Sequence, residues 1–239
     1  MIDNHKDIRD FLNNIPDQFV IMEEGINVQT QKEYIDYSHS FDRGELTQTE
    51  TNNLGHFLFD FKATIESKKK VLTLLAHLGT INAFRQIEKY FKNPDKELRQ
   101  WTVLALQECK MFLESTLTDQ SIGFISSGLG GVLDKLRYYV LILPSSDKQF
   151  NATQKNTIKE ELNIVAKDLK CIVESVDLSD TFVGVTVLVP MDVAVGTFIE
   201  DGIKKCNELE VCVCEHYYVT NQNIPDKAEI IDIIKIVKD

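Results

Sequence analysis

The sequence predicts an α+β protein in two parts, with helices first and a mixed sheet after them. Three observations carry this reading. Apolar residues recur at helical spacing up to about residue 115. Beyond about 130 they alternate or form β-branched runs. A Ser- and Gly-rich stretch at 126–131 separates the two rhythms. The 239 residues, 43% of them apolar, hold enough material for a real core. Their length suits two small domains, placed at 1–125 and 132–239.

Ile8, Phe11, Leu12 and Ile15 share a helical face that Pro16 closes. The stretch 19–28 reads either as a short hairpin around Glu24 and Gly25 or as irregular chain. Thr47 followed three residues later by Glu50 has the form of a capping box. It opens a helix carrying Leu54, Phe57, Leu58 and Phe61. From Ser67 a further helix presents Val71, Leu72, Leu74, Leu75 and Leu78, and Gly79 stops it. The next presents Ile81, Phe84, Ile87 and Phe91 up to Asn93 and Pro94. Asp95 is the expected cap of a third, with Leu98, Trp101, Leu104, Ala105, Cys109 and Phe112. Leu117, Ile122, Phe124 and Ile125 read as a small strand or linker.

In the second part, 137–143 is a buried-strand run and Asn151 or Thr153 opens a helix bearing Ile158, Leu162, Val165 and Leu169. The runs 171–178 and 182–189 form a hairpin. A helix after Pro190 carries Val195, Phe198, Ile199, Ile203, Cys206 and Leu209, and 211–219 is the closing strand. The order is β-α-β-β-α-β. A sheet with both helices on one face leaves an apolar face opposite that something must cover. The terminal segment with Ile230, Ile231, Ile233, Ile234 and Val237 reads as a short docking helix, its β-branching leaving a strand open.

Two resemblances follow. Residues 66–115, with Pro94 and Asp95 in a turn, then Leu98, Arg99, Ala105 and Leu106, resemble a HEAT-type α-hairpin segment, a plain helical bundle being the alternative. Residues 135–220 resemble the ferredoxin-like superfold, of which ACT-type regulatory modules are one version; such superfolds host many functions. The HEAT-like resemblance implies a protein-docking surface, and the ACT-like one implies a small-molecule effector.

The search for chemistry finds few candidates. Ser126, Ser127, Gly128, Gly130 and Gly131 form a loop whose backbone N–H groups are able to cradle an anion. It lacks the residues of a P-loop or a dinucleotide fingerprint and precedes a strand, so a flexible linker or bulge is the reading taken and a ligand loop the alternative. Gly184 and Thr186 interrupt a bulky strand and allow close approach of a ligand or a second sheet. Cys212, Cys214 and His216 are metal-type ligands at alternate strand positions, with about 7 Å between neighbours, awkward for one ion; core packing is the reading taken. No metal or cofactor is expected. No nucleophile elbow, HExxH or EF-hand loop is present. Lys68, Lys69 and Lys70 read as a solvated face, and His77 as a helix-end residue with a structural role.

Against 26 Lys and Arg stand 37 Asp and Glu, a net charge of −11, which argues against phosphate-backbone and anionic-membrane partners. Five unpatterned cysteines and a polar start suggest a reduced, cytoplasmic protein. The expectation is a non-catalytic interaction or adaptor protein with a protein partner or as a homodimer, binding no nucleic acid and no membrane. A small-molecule-sensing regulatory module is the alternative, and an enzyme without a recognisable motif the weaker one.

Overall fold

A computed structural model describes residues 18–39, 46–145, 149–208 and 211–238. The expected first helix, with Ile8, Phe11, Leu12 and Ile15, lies outside them. The chain mixes helix and sheet and divides into two compact units. One comprises 18–20 and 28–125 among the described residues, the other 21–27 and 126–238. The stretch left open at 19–28 is therefore split: it supplies β1 (Gln18–Ile21) and then a connection that belongs with the second unit.

The first unit holds α1 (Val28–Ser38), α2 (Gln48–Phe57), α3 (Ile65–Leu78), α4 (Ile81–Phe91) and α5 (Arg99–Thr118). Each start has a local cause. Thr47 Oγ1 accepts from the Glu50 N–H at 3.3 Å while Glu50 Oε2 accepts from the Thr47 N–H at 2.8 Å, the reciprocal box the sequence predicts. Thr64 and Thr80 cap α3 and α4 with a single bond each, their hydroxyls accepting from the N–H groups of Ser67 and Ala83. Gly79 ends α3 in the left-handed region at φ +54°, where a side chain is strained. Thr47→Ala is expected to cost about 1 kcal/mol, read from the urea midpoint of the first unit, because it leaves the Glu50 N–H without its cap.

Three expectations change here. Asp95 caps nothing with its side chain, because its carboxylate is taken by Lys68 Nζ and Tyr90 OH, both at 2.6 Å. A 3₁₀ turn at Lys96–Leu98 follows, so α5 starts at Arg99 and runs on to Thr118, absorbing Leu117. The lysine run is not a uniform solvated face either. Lys68 is buried, and only Lys70 is exposed. The core gathers Leu72, Leu75, Ala76, Ile87, Leu98, Trp101, Leu104 and Ala105. β2 (Ile122–Ile125) pairs with β1.

The second unit contains β3 (Gly131–Val132), β4 (Lys135–Pro144), α6 (Ala152–Asp168), β5 (Ile172–Leu178), β6 (Val183–Pro190), α7 (Val195–Cys206), β7 (Val213–Thr220) and α8 (Lys227–Lys238). Its sheet runs β3-β4-β6-β5, with β7 on the same side of β4 as β3, and every pairing is antiparallel. Asn151 opens α6 with a second capping box, to Gln154. Alternation sorts the two faces. Val140, Ile142, Val183, Val185, Val187 and Val189 meet Ile158, Leu162, Val165, Phe198, Ile199 and Ile203 on one side. Tyr139, Leu141 and Leu143 point to the other, where α8 covers them with Ile230, Ile233 and Ile234. The terminal segment is a helix because its isoleucines have this face to bury.

Candidate functional site

α8 covers only part of its sheet face. Beside it lies a cavity of about 760 Å³ with two unlike walls. The helix side is apolar: Ile224, Pro225, Ile230, Ile231 and Ile234. The sheet side is polar: Tyr139 from β4, Gly184 and Thr186 from β6, and Ser175 and Asp177 from the edge strand β5. Register aligns them, since Tyr139 stands opposite Thr186, Thr186 opposite Ser175, and Gly184 opposite Asp177. Phe182 also lines it, as do Asp226 and Lys227, both exposed to solvent.

Gly184 also makes room for a neighbouring side chain. A Cβ there would run into the hydroxyl and ring of Tyr139, so the missing side chain lets that phenol lie across β6. Tyr139 is 5% exposed, and its hydroxyl makes no hydrogen bond among the described residues. Burial, and then the charge of Asp177, raise its pKa above the ordinary tyrosine value. At neutral pH it is a donor with no acceptor in the protein. Asp177 is exposed on the edge strand as an acceptor. The N-terminus of α8 offers no anion site: Asp226 Oδ1 takes the N–H groups of Ala228 and Glu229 at 2.8 and 2.9 Å.

Of the sequence-selected residues, Gly184 and Thr186 lie in this cavity; the glycine-rich loop does not line it. Three of the loop's N–H groups are spent inside the fold. Leu129 donates to Asn221 O at 2.9 Å, Gly131 to Met22 O at 2.9 Å and Gly130 to Ser127 O at 3.3 Å. Ser127 Oγ donates to Gly130 O, and Ser126 Oγ is buried without a hydrogen-bond partner among the described residues. The backbone of Gln222 excludes a Cβ at Gly128, and the backbone of Glu23 and Glu24 excludes one at Gly130.

The metal-type residues are dispersed. Cys212 precedes β7 and packs with Cys206 in the core under α6 and α7, whereas Cys214 packs on the α8 side and His216 is exposed. A register shift between the Ile142 and Pro144 pairings breaks the alternation that would have aligned them. Among the described residues no group of three His, Cys, Asp or Glu is placed to hold a metal ion. No helix there is long and apolar enough to cross a membrane.

Sequence reasoning missed Tyr139 and Asp177, although alternation in β4 and β5 was the signal that places both on one face. In the first unit it missed a buried polar cluster. Tyr34 OH donates to Glu108 Oε2 at 2.6 Å, Ser38 Oγ to Glu108 Oε1 at 2.9 Å, and His77 Nε2 lies 2.8 Å from Ser38 Oγ and 3.4 Å from Glu108 Oε1. Its members are spread along the chain, so no motif announces them.

No family model and no curated protein matches the sequence. Among solved structures, the chain is similar to a protein of Deinococcus radiodurans R1 described as a transposase, at 10% identity and a TM-score of 0.37, over 45% of this chain and 92% of that one. It is also similar to a REP-associated tyrosine transposase bound to a REP hairpin, at 8% identity and a TM-score of 0.33, over 44% and 66% of the two chains. The expectation of a non-catalytic, protein-binding adaptor that takes no nucleic acid is contradicted by these neighbours and is withdrawn. The weak step was physical: a net charge averaged over 239 residues says little about one site. Neither neighbour's activity passes to this chain at such identities.

Proposed function

We propose that the second unit binds an unpaired nucleobase of a nucleic acid strand in the cavity between the sheet and α8. The observation that carries this reading is the pairing of an isoleucine wall with a hydrogen-bonding wall. Such a slot suits a ligand with apolar faces and a polar edge, which describes a heteroaromatic base. Phe182 offers a ring in the lining. The Tyr139 hydroxyl donates to a ring nitrogen or carbonyl, and the Asp177 carboxylate accepts from an exocyclic amine. Phosphate stays outside, where Lys227, which makes no ion pair among the described residues, is an exposed cation.

The same proposal takes the β-α-β-β-α-β unit as ferredoxin-like across 132–239, supported by its antiparallel strand order, and takes residues 66–115 within 1–125, spanning α3, α4 and most of α5, as a HEAT-like segment.

The test is fluorescence anisotropy with short labelled single strands of each base, a duplex and an abasic strand. Single strands rich in amine-bearing bases are expected to bind most tightly and the abasic strand at least about tenfold more weakly. Asp177→Asn is expected to weaken binding by about tenfold and to change base preference. Lys227→Ala is expected to lower the salt slope by about one with preference unchanged. Equal binding of abasic and base-bearing strands would overturn the reading.

A further inference from the structure

Trp101, the chain's single tryptophan, is 2% exposed and borders a second cavity of about 400 Å³ in the first unit. Tyr34 and Tyr37 stand edge-on to it, with ring centres 5.0 and 5.6 Å away, and hold its plane fixed. The Lys69 ammonium sits over the indole, 4.7 Å from the ring centre. Glu66 and Glu33 approach the same ammonium at 3.3 and 3.7 Å, and Asp36 completes the lining. The Trp101 Nε1–H is buried and makes no hydrogen bond among the described residues. An aromatic face with three carboxylates around it is the chemistry that holds a cation, and the chain's own lysine already occupies it.

We propose that this cavity binds an alkylammonium ion, with Lys69 as an internal occupant that the ligand displaces. The exchange is favourable for a methylated ammonium. A primary ammonium is strongly hydrated and gives up more on leaving water. A quaternary one is weakly hydrated and keeps the full attraction of the ring. Lys69 has somewhere to go: its side chain is 19% exposed and its partners Glu33 and Glu66 are 49% and 67% exposed, so the mouth opens to water. Exposed pairs of this kind hold a lysine weakly. Three carboxylates against one ammonium leave the site acidic after the exchange.

Trp101 is also the reporter. The full chain is titrated with tetramethylammonium, with free trimethyl-lysine and with a short peptide carrying one trimethyl-lysine, the last two separating a free from a peptide-borne ammonium. Sodium chloride at equal ionic strength is the control. A saturable change in tryptophan fluorescence is expected with at least one ammonium and not with sodium. Lys69→Met, which keeps the stem and removes the competing charge, is expected to tighten binding several-fold, and Glu66→Gln to weaken it. Circular dichroism confirms that both variants are folded. A fluorescence change that tracks ionic strength alone, or Lys69→Met that binds no ammonium while folded, would overturn the proposal.

Discussion

Replacing Glu108 with leucine is expected to destabilise the first unit by about 3–5 kcal/mol, because a buried network loses the partner that satisfies the others. The Glu108 carboxylate takes hydrogens from Tyr34 and Ser38 and lies within reach of His77. Without it the Tyr34 hydroxyl loses its acceptor in a core where Tyr34 is 2% exposed, and Ser38, 5% exposed, keeps only His77. Glutamine keeps one acceptor but turns an amide N–H₂ toward groups that were donating, so Glu108→Gln is expected to cost less, about 1–3 kcal/mol. Urea unfolding followed by Trp101 fluorescence reads this unit selectively, since the chain has no other tryptophan. A Glu108→Leu midpoint equal to that of the parent protein would show that the cluster contributes nothing.

The same residue makes the unit acid-sensitive. Burial pushes the Glu108 carboxyl up, but hydrogen bonds from His77, Tyr34 and Ser38 and the His77 charge together outweigh it, leaving it below its ordinary 4.5. A carboxyl depressed in the folded state contributes stability that is present above its unfolded value and disappears as pH falls through the folded one. The first unit is therefore expected to lose stability on acidification below about pH 4.5, and Glu108→Gln to remove part of that slope.

Local rules were legible in the sequence where one short segment decides the outcome. Thr47 with Glu50, Gly79, the buried-strand run of 137–143 and the β-branched run of 182–189 each act within a few residues, and the helices and strands form there. The site was less legible because its residues meet only through strand register. Tyr139, Asp177 and Ile230 lie on separate elements, and nothing in their local sequence requires them to share a cavity. Asp95 shows the other limit: its position is right for a cap, but Lys68 from 27 residues away takes the carboxylate first. Net charge misled for a related reason, since it carries no information on where the charges lie.

Gly128→Ala is expected to be among the most damaging single changes in the second unit, about 3 kcal/mol or more, because the added methyl meets backbone with nowhere to move. On one side lie the carbonyl and Cα of Gln222; on the other, the Gly128 carbonyl already abuts Gly25. Gly130→Ala is expected to cost less from contact with Glu23 and about 1–2 kcal/mol more from its backbone, which sits at φ +67°. Both changes push apart two segments far apart in sequence, 21–27 and 221–222, that the loop ties together through Ile26, Gly131 and Leu129 N–H bonds. Loss of hydrogen-exchange protection at Leu129 and Gly131 is the specific signature, alongside a lowered unfolding midpoint by circular dichroism. An anion-cradling loop predicts something different: a parent protein stabilised by added phosphate or sulfate beyond a chloride control, and alanine variants that fold normally but lose that response. With its N–H groups at 129, 130 and 131 already donated to carbonyls, the loop is expected to show the first pattern.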